Sequence, residues 1–413
     1  DRLSKILASD EKGTLFLVNI NSLTTVNDIF GHLYGDILLR TMAERIGDAL
    51  PRRILVGRLS GSDFAAIIRR EDASTEMEQE IANRLLVSLT EPIKIQGTKI
   101  RIAINIGITH YPEDGDTVTD ILKNADVAMH YSKQDGKSRY TIFDGHMTTE
   151  IINNLTLETK LHDAVHHDDF ILYYQPQVRV RDQSLAGFEG LIRWPSAHAG
   201  FIGPDKFIPL AEETGLIVPM GYAVIEKACQ FINRHQPKSI TPYKVSVNIS
   251  AVQLLQSDFV ERVMEIVGKT GVSPHHLGLE ITESALIRSY ISNVEKLDEL
   301  KKNGFVILLD DFGTGYSSLN HLQNLPIDIL KIDKSFMDKI TEQKKALNLA
   351  SSIITMAHNL NLTVVAEGIE TEEQLHILED FNCDVIQGYY FSKPLPEEQA
   401  SGYEGKMKKQ NRR

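Results

Sequence analysis

Hydrophobic and polar positions divide the chain into two parts with different patterns. In residues 1–146, short apolar runs alternate with amphipathic segments of helical period. Two hairpins are predicted, one with strands 54–59 and 64–68 and the other with strands 93–95 and 100–109 joined through Gln96-Gly97. Helices combined with mostly antiparallel strands predict an α/β sandwich of palm-like type.

The second part alternates predicted strands and helices almost strictly. The strands are 171–178, 185–194, 245–250, 277–281, 305–310, 327–332, 364–367 and 384–388, and the helices are 219–234, 258–270, 293–303, 344–360 and 372–380. Such an alternation predicts a (β/α)8 barrel of the TIM type, with a doubly wound open sheet as the alternative. No helix separates the first two strands, so we expect the barrel to be irregular there.

A polar stretch after Asp144, followed by a helical period, separates the two parts. We predict four segments along the chain. These are a first domain over 1–146, a linker and connecting helix over 147–166, a second domain over 167–402, and a basic tail over 403–413.

Composition and charge narrow the functional classes. The formal net charge of −12 argues against a partner that is a nucleic-acid polymer, although metal ions could still hold a small anionic ligand. The 2 cysteines provide neither a disulfide framework nor a zinc cluster, and no apolar run is long enough to span a bilayer. We therefore expect a cytoplasmic location. Because the chain begins at Asp1 within a helical pattern, we interpret it as a fragment of a longer protein that could be membrane-anchored.

Polar side chains that suit catalysis recur where the predicted barrel strands end. They are Gln175, Glu189, Asn248, Glu280, Asp310, Asp311, Lys331, Asp333, Glu367 and Gln387. The carboxyl ends of barrel strands meet at one mouth, so we expect these groups to converge. Carboxylate and amide oxygens without His or Cys favour Mg²⁺ or Mn²⁺ over zinc. Ordinary polar residues at a barrel mouth are the alternative, but the same accident would have to recur on most of the strands.

So many carboxylates at one mouth could not all be ionised without neighbouring positive charge. Two divalent ions roughly 3.5–4 Å apart, bridged by Asp310 and sharing a water as the nucleophile, would supply that charge. Lys331 and Asp333 are two residues apart on one predicted strand, so both are expected to point inward. Lys331 would then be able to hold the attacking water or the charge that develops on a phosphate.

A set of motifs in the second part resembles the EAL family of cyclic di-GMP phosphodiesterases over about residues 155–396. The motifs are Tyr174-Gln175-Pro176, Glu189-Gly190-Leu191-Ile192-Arg193-Trp194, Asn248-Ile249-Ser250, Glu280-Ile281-Thr282-Glu283, Asp310-Asp311-Phe312-Gly313-Thr314-Gly315, Lys331-Ile332-Asp333, Glu367-Gly368-Ile369-Glu370 and Gln387-Gly388. The resemblance implies hydrolysis of cyclic di-GMP to linear pGpG with two Mg²⁺ or Mn²⁺ ions, and a homodimer through the EAL domains. Gly190 replaces the family's alanine, which adds backbone freedom and is expected to affect the rate more than the reaction.

The same resemblance implies a role for each matching residue. The implied metal ligands are Glu189, Asn248, Glu280, Asp310, Asp311 and Glu367. The implied substrate contacts are Gln175, Glu189, Leu191, Arg193, Asp311, Glu370 and Gln387. The implied catalytic group comprises Lys331 and Asp333, which organise the water, together with Glu367 and with Glu283, which steadies the loop 311–318.

The first part resembles the GGDEF domain of diguanylate cyclases. The matching motifs are Asn27-Asp28, Gly31-His32, Gly35-Asp36 and Arg58-Leu59-Ser60-Gly61-Ser62-Asp63-Phe64. Ser60 replaces a glycine of the signature turn, Asp63 replaces a glutamate, and Asn19 replaces the first metal-binding aspartate. A neutral amide is a weaker Mg²⁺ ligand than a carboxylate, so we expect no cyclase activity. Binding of GTP at Asn27 and Asp36 is left open.

The leading hypothesis is a cyclic di-GMP phosphodiesterase with an inactive GGDEF-like domain as a regulatory module. A non-catalytic cyclic di-GMP receptor is the rival from another class, although such receptors usually lack metal ligands that are all present here. A third alternative is an unrelated metal hydrolase on the same barrel, which would have acquired the whole motif set by convergence.

Overall fold

The computed structural model describes residues 12–21, 23–51, 54–69, 75–95, 98–133, 138–196, 200–235, 243–287, 289–313 and 322–403. Contacts divide the chain into two compact units, Asp1–Thr156 (unit 1) and Leu157–Arg413 (unit 2). The division falls within one helix, Gly145–His167. The finer division into four segments stays a prediction, and residues 404–413 of the expected tail lie outside the described residues.

Unit 1 is a five-stranded sheet with helices on both faces. Its elements are β1 (Gly13–Ile20), α1 (Leu23–Phe30), α2 (His32–Ala49), β2 (Leu55–Ser60), β3 (Asp63–Arg69), α3 (Thr75–Thr90), β4 (Ile93–Ile95), β5 (Thr98–Ile100), β6 (Ile104–Tyr111), α4 (Val118–Tyr131), β7 (Arg139–Ile142) and α5 (Gly145–His167). The strand order is β2-β3-β1-β6-β7, and every pair except β6–β7 is antiparallel. The predicted sandwich is confirmed.

The central strand β1 explains why helices cover both faces of this sheet. Successive side chains of a strand point to opposite faces. Phe16 and Val18 pack in one hydrophobic cluster with residues of α2 and α3, whereas Leu15 and Leu17 pack in another with residues of α4. Because both sets of side chains are buried, the sheet requires a helical layer on each side.

One predicted strand of unit 1 is wrong in its extent. The run 100–109 was expected to be a single strand of the second hairpin, but the structure divides it. β5 pairs with β4 in a separate two-stranded ribbon, while β6 begins at Ile104 and joins the main sheet. Apolar periodicity does not reveal where a strand changes its partner, which accounts for the error. The turn Gln96-Gly97 lies outside the described residues.

Unit 2 contains a closed barrel of eight strands. They are β8 (Ile171–Arg179), β9 (Leu185–Ser196), β11 (Lys244–Asn248), β12 (Leu277–Thr282), β13 (Val306–Phe312), β14 (Ile329–Ile332), β15 (Thr363–Ala366) and β16 (Val385–Gln387), with the short strands β10 (Gly200–Ile202) and β17 (Leu395–Pro396) added at its margins. Pairing of β8 with both β16 and β9 closes the sheet, so the barrel is confirmed and the open-sheet alternative is wrong.

Helices surround this barrel. They are α6 (Pro204–Thr214), α7 (Ile217–His235), α8 (Ala251–Leu254), α9 (Phe259–Thr270), α10 (Glu283–Ile287), α11 (Tyr290–Lys302), α12 (Lys334–Met337), α13 (Lys344–Asn359), α14 (Glu372–Asp380) and α15 (Glu397–Ala400). Among the described residues, none of the helices combines the length and the apolar composition that a membrane crossing requires.

The expected irregularity of the barrel is also confirmed. β8 is antiparallel to both of its neighbours, whereas the other adjacent barrel strands are parallel. The hairpin between β8 and β9 places Gln175 directly opposite Glu189. A residue in the middle of β8 therefore reaches the level at which the parallel strands end.

We predict that His110 makes the stability of unit 1 depend on pH. Its Nε2 lies 3.0 Å from Glu78 Oε2 and its Nδ1 lies 3.5 Å from Asp114 Oδ2. Hydrogen bonds to Asp114 and Glu78 outweigh burial and raise the pKa of His110 to about 9. A pKa raised above its unfolded value stabilises the fold fully below about pH 6.5, and this contribution is lost as the pH rises through about 9.

The measurement is calorimetry of the full chain and of His110→Gln at pH 6 and pH 9.5. After allowance for solvent screening, we expect the variant to be less stable by about 1–2 kcal/mol at pH 6. The two proteins should melt together at pH 9.5. A gap of the same size at both pH values would contradict the prediction.

Candidate active site

The ammonium group of Lys331 lies at the centre of the barrel mouth. Lys331 is on β14 and its side chain is completely buried. Its Nζ contacts Glu280, and it lies 2.6 Å from Glu367 Oε1, 3.1 Å from Asp310 Oδ2 and 3.5 Å from Glu189 Oε2. One cation therefore faces four carboxylates.

The parallel strands deliver these carboxylates to one place. Glu189, Glu280 and Asp310 lie on β9, β12 and β13, and Glu367 follows the last residue of β15. Asn248 ends β11, and Gln387 ends β16. Because the carboxyl ends of parallel strands form one edge of the barrel, the sequence expectation that these groups converge is met by their positions.

A β-bulge turns two adjacent aspartates toward the same end of the barrel. Leu309 pairs with Leu330 and Phe312 pairs with Ile332, so two residues of β13 stand opposite Lys331 alone. The extra residue, Asp311, has φ of 55°, in the left-handed region that aspartate tolerates better than most residues. Without the bulge, the Asp310 and Asp311 side chains would point to opposite faces of the strand.

Electrostatic coupling among the four carboxylates is strong because Glu189 and Glu280 are buried and Asp310 and Glu367 are largely so. Burial raises the pKa of Glu280 far above its ordinary range, and the charges of Glu189 and Asp310 add to this effect. Burial and the same two neighbours raise the pKa of Glu367 to about 7, against the opposing effect of Lys331. A single ammonium group thus does not neutralise the cluster, and additional positive charge would favour its ionised form.

Glu189 differs from the other carboxylates because amide groups hold it. Burial alone would raise its pKa, but Lys331, Gln387 and Asn248 together keep the pKa below its ordinary value. Gln387 Nε2 donates to Glu189 Oε2 at 2.6 Å, and Asn248 Nδ2 donates to Glu189 Oε1 at 2.8 Å. Gln387 Nε2 also donates to Gln175 Oε1 at 3.1 Å. Both amide hydrogens of Gln387 are therefore used within the protein, and its expected contact with substrate stays a prediction.

The donor set fits a hard divalent cation. It consists of carboxylates and an amide, and Glu280 Oε1 is buried without a hydrogen-bond partner among the described residues. Within that same part of the chain, no three carboxylate, imidazole or thiolate side chains already have the arrangement of a metal site. In the same cluster, the Lys331 ammonium lies against one oxygen of each of the four carboxylates.

Several predicted residues lie around this cluster. The spacing predicted Asp333 on the same strand as Lys331, but that strand ends at Ile332. Asp333 follows β14 and caps α12 by accepting a hydrogen bond from Ser335 N at 3.0 Å. Its charge still helps to raise the pKa of Asp311, after burial and Asp310, so it lies near the mouth. Glu283 begins α10, and both of its carboxylate oxygens are buried without a partner among the described residues.

Two cavities adjoin at the mouth. A polar one of about 310 Å³ is lined by Gln175, Glu189, Leu191, Asp310, Lys334, Glu367, Gly368, Glu370, Gln387, Gly388 and Tyr389. A more apolar one of about 410 Å³ lies beside it, between β9, β11 and helices α6 and α7. Leu191 lines both cavities, and Arg193 lines the apolar one. The mouth therefore offers a charged compartment beside an apolar compartment.

Sequence reasoning missed three residues near the cluster. Lys334 lines the polar cavity and lies 2.6 Å from Glu370 Oε1, and Tyr389 lines the same cavity with 57% of its surface exposed. Gln177 donates to Gln387 Oε1 at 2.9 Å. A signal for Gln177 was available, because it lies two residues after Gln175 on the same strand and so faces the same side.

Gly190, beside Glu189, has little room for a side chain. A Cβ atom there would lie 3.3 Å from Ser246 O and 3.3 Å from Val247 Cγ1. An alanine would thus need a shift of a few tenths of an ångström in β11. The glycine is therefore compatible with the local packing of this barrel.

In unit 1, the residues at the expected metal site of the GGDEF-like domain, Asn19 and Asp63, are in direct contact and leave no gap for a cation between them. Asn19 Nδ2 donates to Asp63 Oδ1 at 2.6 Å and to Ser62 Oγ at 3.1 Å. A metal ion would need an oxygen where the amide NH₂ now lies. Asp36 lines a neighbouring cavity of about 420 Å³ together with Arg58, and Asn27 Oδ1 is buried without a hydrogen-bond partner among the described residues.

Comparison with known proteins agrees with this geometry. Residues 158–394 match the family model of the EAL domain, and residues 1–139 match that of the diguanylate cyclase GGDEF domain. The chain belongs to the EAL domain family. It is a tandem protein in which the GGDEF domain precedes the EAL barrel, as the motifs had suggested.

Some relatives of this EAL protein have names from cyclic di-GMP signalling. The bifunctional diguanylate cyclase/cyclic di-GMP phosphodiesterase MucR of Pseudomonas aeruginosa is 34% identical over 398 residues, which cover 96% of this chain and 58% of the relative. The cyclic di-GMP phosphodiesterase PdeR of Escherichia coli is 32% identical over 389 residues, 94% of this chain and 58% of the relative. The chain spans about half the length of the curated relatives it matches.

A solved structure resembles the EAL barrel directly. The PaMucR phosphodiesterase in its c-di-GMP complex is 36% identical, with a TM-score of 0.57 over 59% of this chain and 99% of that chain. At this level of identity, the likeness extends beyond the fold.

We predict that Lys331 stabilises the EAL barrel when no metal ion is bound. In Lys331→Met, the carboxylates lose their buried partner, which should cost about 3–5 kcal/mol and lower the melting temperature by roughly 10 °C in EDTA. Mn²⁺ should restore part of the loss. Fluorescence of Trp194, the only tryptophan, reports unfolding of the barrel.

Lys334→Met is the matched control. Lys334 is half-exposed and pairs with Glu370 and Asp338, so its loss should cost less than about 1 kcal/mol. If both variants melted at the same temperature in EDTA, Lys331 would not have the stabilising role described here.

Proposed function

We propose that the barrel hydrolyses one phosphodiester bond of cyclic di-GMP and releases linear pGpG. The observation that carries the proposal is the buried Lys331 ammonium among four carboxylates at the mouth of an EAL barrel. The names of MucR and PdeR and the c-di-GMP complex of PaMucR support the choice of substrate. The polar cavity would suit a phosphodiester once divalent cations neutralise its carboxylates, and the adjoining apolar cavity suits a purine base.

Glu189, Asn248, Glu280, Asp310, Asp311 and Glu367 would hold two Mg²⁺ or Mn²⁺ ions. When bound, these ions would neutralise the phosphate and favour ionisation of a water molecule. Lys331 remains near the reacting phosphate and stabilises the negative charge that develops on it. Asp333 and Glu367 accept hydrogen bonds from the water and orient it toward phosphorus. The water oxygen bonds to phosphorus, the bond from phosphorus to the ribose 3′ oxygen breaks, and a proton from the water ends on that 3′ oxygen, which leaves the phosphate on the 5′ end of pGpG.

Substrate recognition is proposed to involve residues of both cavities. Arg193 has its guanidinium 5.7 Å from the Tyr173 ring centroid, and burial lowers its pKa. It lies on the same strand as Leu191, which separates the two cavities. Gln175 and Glu370 border the polar cavity from other sides. An extended dinucleotide could therefore contact all four residues at once.

The first functional prediction concerns the cluster itself. Purified chain with cyclic di-GMP and Mg²⁺ or Mn²⁺ should yield pGpG, and Glu189→Ala or Asp310→Asn should lower kcat by at least about 10³-fold. Ca²⁺ should bind and inhibit, because its larger and looser coordination shell spaces the ions differently. Product analysis by chromatography checks all three expectations.

Asp182→Asn is the control for the loss of a carboxylate. Asp182 is exposed in the turn between β8 and β9, at the opposite end of the strands, and should be silent. Tight binding of cyclic di-GMP without turnover under any divalent ion would favour the receptor hypothesis instead.

The second prediction is that the chain makes no cyclic di-GMP from GTP. The metal ion that holds a triphosphate would need two carboxylates here. The chain has only one, Asp63, and its carboxylate accepts a hydrogen bond from Asn19. Incubation with GTP and Mg²⁺, followed by mass spectrometry, is the measurement. Detectable product that disappears in Asp63→Ala would overturn the prediction.

The GGDEF-like unit is proposed to regulate the barrel instead of catalysing a reaction. The buried Asn27 Oδ1 and the cavity beside Asp36 leave room for GTP as a ligand of this unit. A homodimer through the EAL domains is proposed from the family resemblance. Cytoplasmic location of this part of the protein is proposed as well.

The third prediction concerns Glu283, which we propose steadies the loop 311–318. Residues 314–318 of that loop lie outside the described residues. The buried carboxylate of Glu283 is without a partner among the described residues, and buried carboxylates normally have one. Glu283→Ala should therefore lower kcat at least tenfold. Glu373→Ala, which removes an exposed acid from the first turn of α14, is the matched control. Equal kcat values for Glu283→Ala and Glu373→Ala would contradict the proposed role of Glu283.

A further inference from the structure

Three buried glutamines form a row inside the barrel, and Glu189 lies at its end. Gln175 and Gln177 are two residues apart on β8, so they face the same side of the strand. In the strand register, Gln177 lies opposite Gln387 of β16, and Gln175 lies opposite Glu189 of β9. The antiparallel strand β8 thus links the two strands that carry Gln387 and Glu189.

The charge of Glu189 determines the direction of each hydrogen bond in this row. An ionised carboxylate can only accept hydrogen bonds, so the Gln387 atom 2.6 Å from Glu189 Oε2 must be the Nε2 donor. The opposite atom, Gln387 Oε1, then faces Gln177 and requires a donor there. Gln177 Nε2 meets that requirement at 2.9 Å.

A reversed amide at Gln387 would occupy almost the same volume. Rotation by 180° would exchange its NH₂ group and its oxygen, and the oxygen would then lie against the Glu189 carboxylate. Packing alone discriminates poorly between these two orientations, because the two ends of the amide have similar size. In the orientation that Glu189 requires, Gln177 Nε2 donates to Gln387 Oε1, whereas a reversed Gln387 would face Gln177 with NH₂ against NH₂ unless Gln177 turned as well.

Gln177 does not line the polar cavity at the mouth. It lines a separate cavity of about 150 Å³, together with residues such as Lys244, Val306 and Thr363 that lie at or near the amino ends of their strands. A substrate bound at the mouth would therefore be out of its reach. Any effect of Gln177 on the reaction has to pass through Gln387.

We propose that Gln177 is a positioning residue for the phosphodiesterase reaction, which fixes the Gln387 amide so that Gln387 orients Glu189. The inference rests on the proposed function, because it gives Glu189 a role in holding metal and substrate. Groups that orient the ligands of a metal typically change affinity or activity by 10–100-fold when they are removed.

The test compares two substitutions of Gln177 in the full chain. Gln177→Met keeps the approximate volume but removes the donor, and should lower kcat about tenfold. Gln177→Glu keeps the shape but offers only acceptors, so it should draw the Gln387 NH₂ group away from Glu189. We expect this variant to lose about 100-fold in kcat. KM for cyclic di-GMP should change less than threefold in both variants.

Two controls separate positioning from packing. Ser246→Ala removes a buried hydroxyl group that lines the same 150 Å³ cavity as Gln177, and its kcat should equal that of the unmodified chain. In a Gln387→Ala background, Gln177→Met should lower kcat no further, because its partner is gone. Additive losses in that double variant would overturn the inference, as would a Gln177→Glu variant no slower than Gln177→Met.

A second readout does not depend on turnover. Mn²⁺ should raise the melting temperature of the unmodified chain and of Ser246→Ala by the same amount, and raise that of Gln177→Glu by much less. If the unmodified chain binds Mn²⁺ but hydrolyses nothing, the proposed function fails while this comparison still tests Gln177. An equal Mn²⁺ shift in all three proteins would refute the positioning role. If Gln177→Glu fails to fold, the Mn²⁺-induced shift in melting temperature is measured for Gln177→Met in its place.

Discussion

The contact of one buried ammonium group with four carboxylates is the interaction on which the barrel mouth depends. Lys331 is fully buried on β14, and its partners come from four other places in the barrel wall. Burial of so much negative charge is unfavourable unless cations compensate for it. The lysine compensates for part of it, because one ammonium faces four carboxylates, and the raised pKa of Glu280 and of Glu367 is in the direction that this excess predicts. This excess is the physical reason to expect divalent metal ions at the site.

Two departures from a regular parallel barrel give the cluster its geometry. The bulge in β13 brings Asp310 and Asp311 opposite the same lysine, where a regular strand would separate them. The antiparallel strand β8 brings Gln175 and Gln177 beside strands whose polar residues lie at their ends. The first departure changes the register of a strand and the second changes the direction of a strand. Both place additional polar groups next to Glu189 or Lys331. The chemistry proposed for this mouth therefore depends on irregular pairing as much as on residue type.

The sequence predicted the fold and the convergence of the site better than it predicted details of register. All eight barrel strands were predicted: the parallel ones from buried apolar runs with crossover helices, and β8 from its apolar run alone. The predicted strand ends identified Glu280 and Asp310 near the ends of β12 and β13, and they also identified Glu189, which lies within the longer strand β9. The bulge at Asp311, the position of Asp333 outside its strand and the division of 100–109 were not predictable, because each depends on which strand lies alongside. Gln177 was missed although its spacing from Gln175 places both on one face of β8, and only the structure shows that it bonds to Gln387.

The most direct test of the account is hydrolysis of cyclic di-GMP in H₂¹⁸O with Mn²⁺, followed by mass spectrometry of the product. If water attacks phosphorus beside Lys331 and the 3′ oxygen leaves, one ¹⁸O atom should appear in the 5′ phosphate of pGpG. The Lys331→Met variant should form little of this product. Binding of cyclic di-GMP without any labelled pGpG, or label at another position, would contradict the central claim that this cluster catalyses phosphodiester hydrolysis.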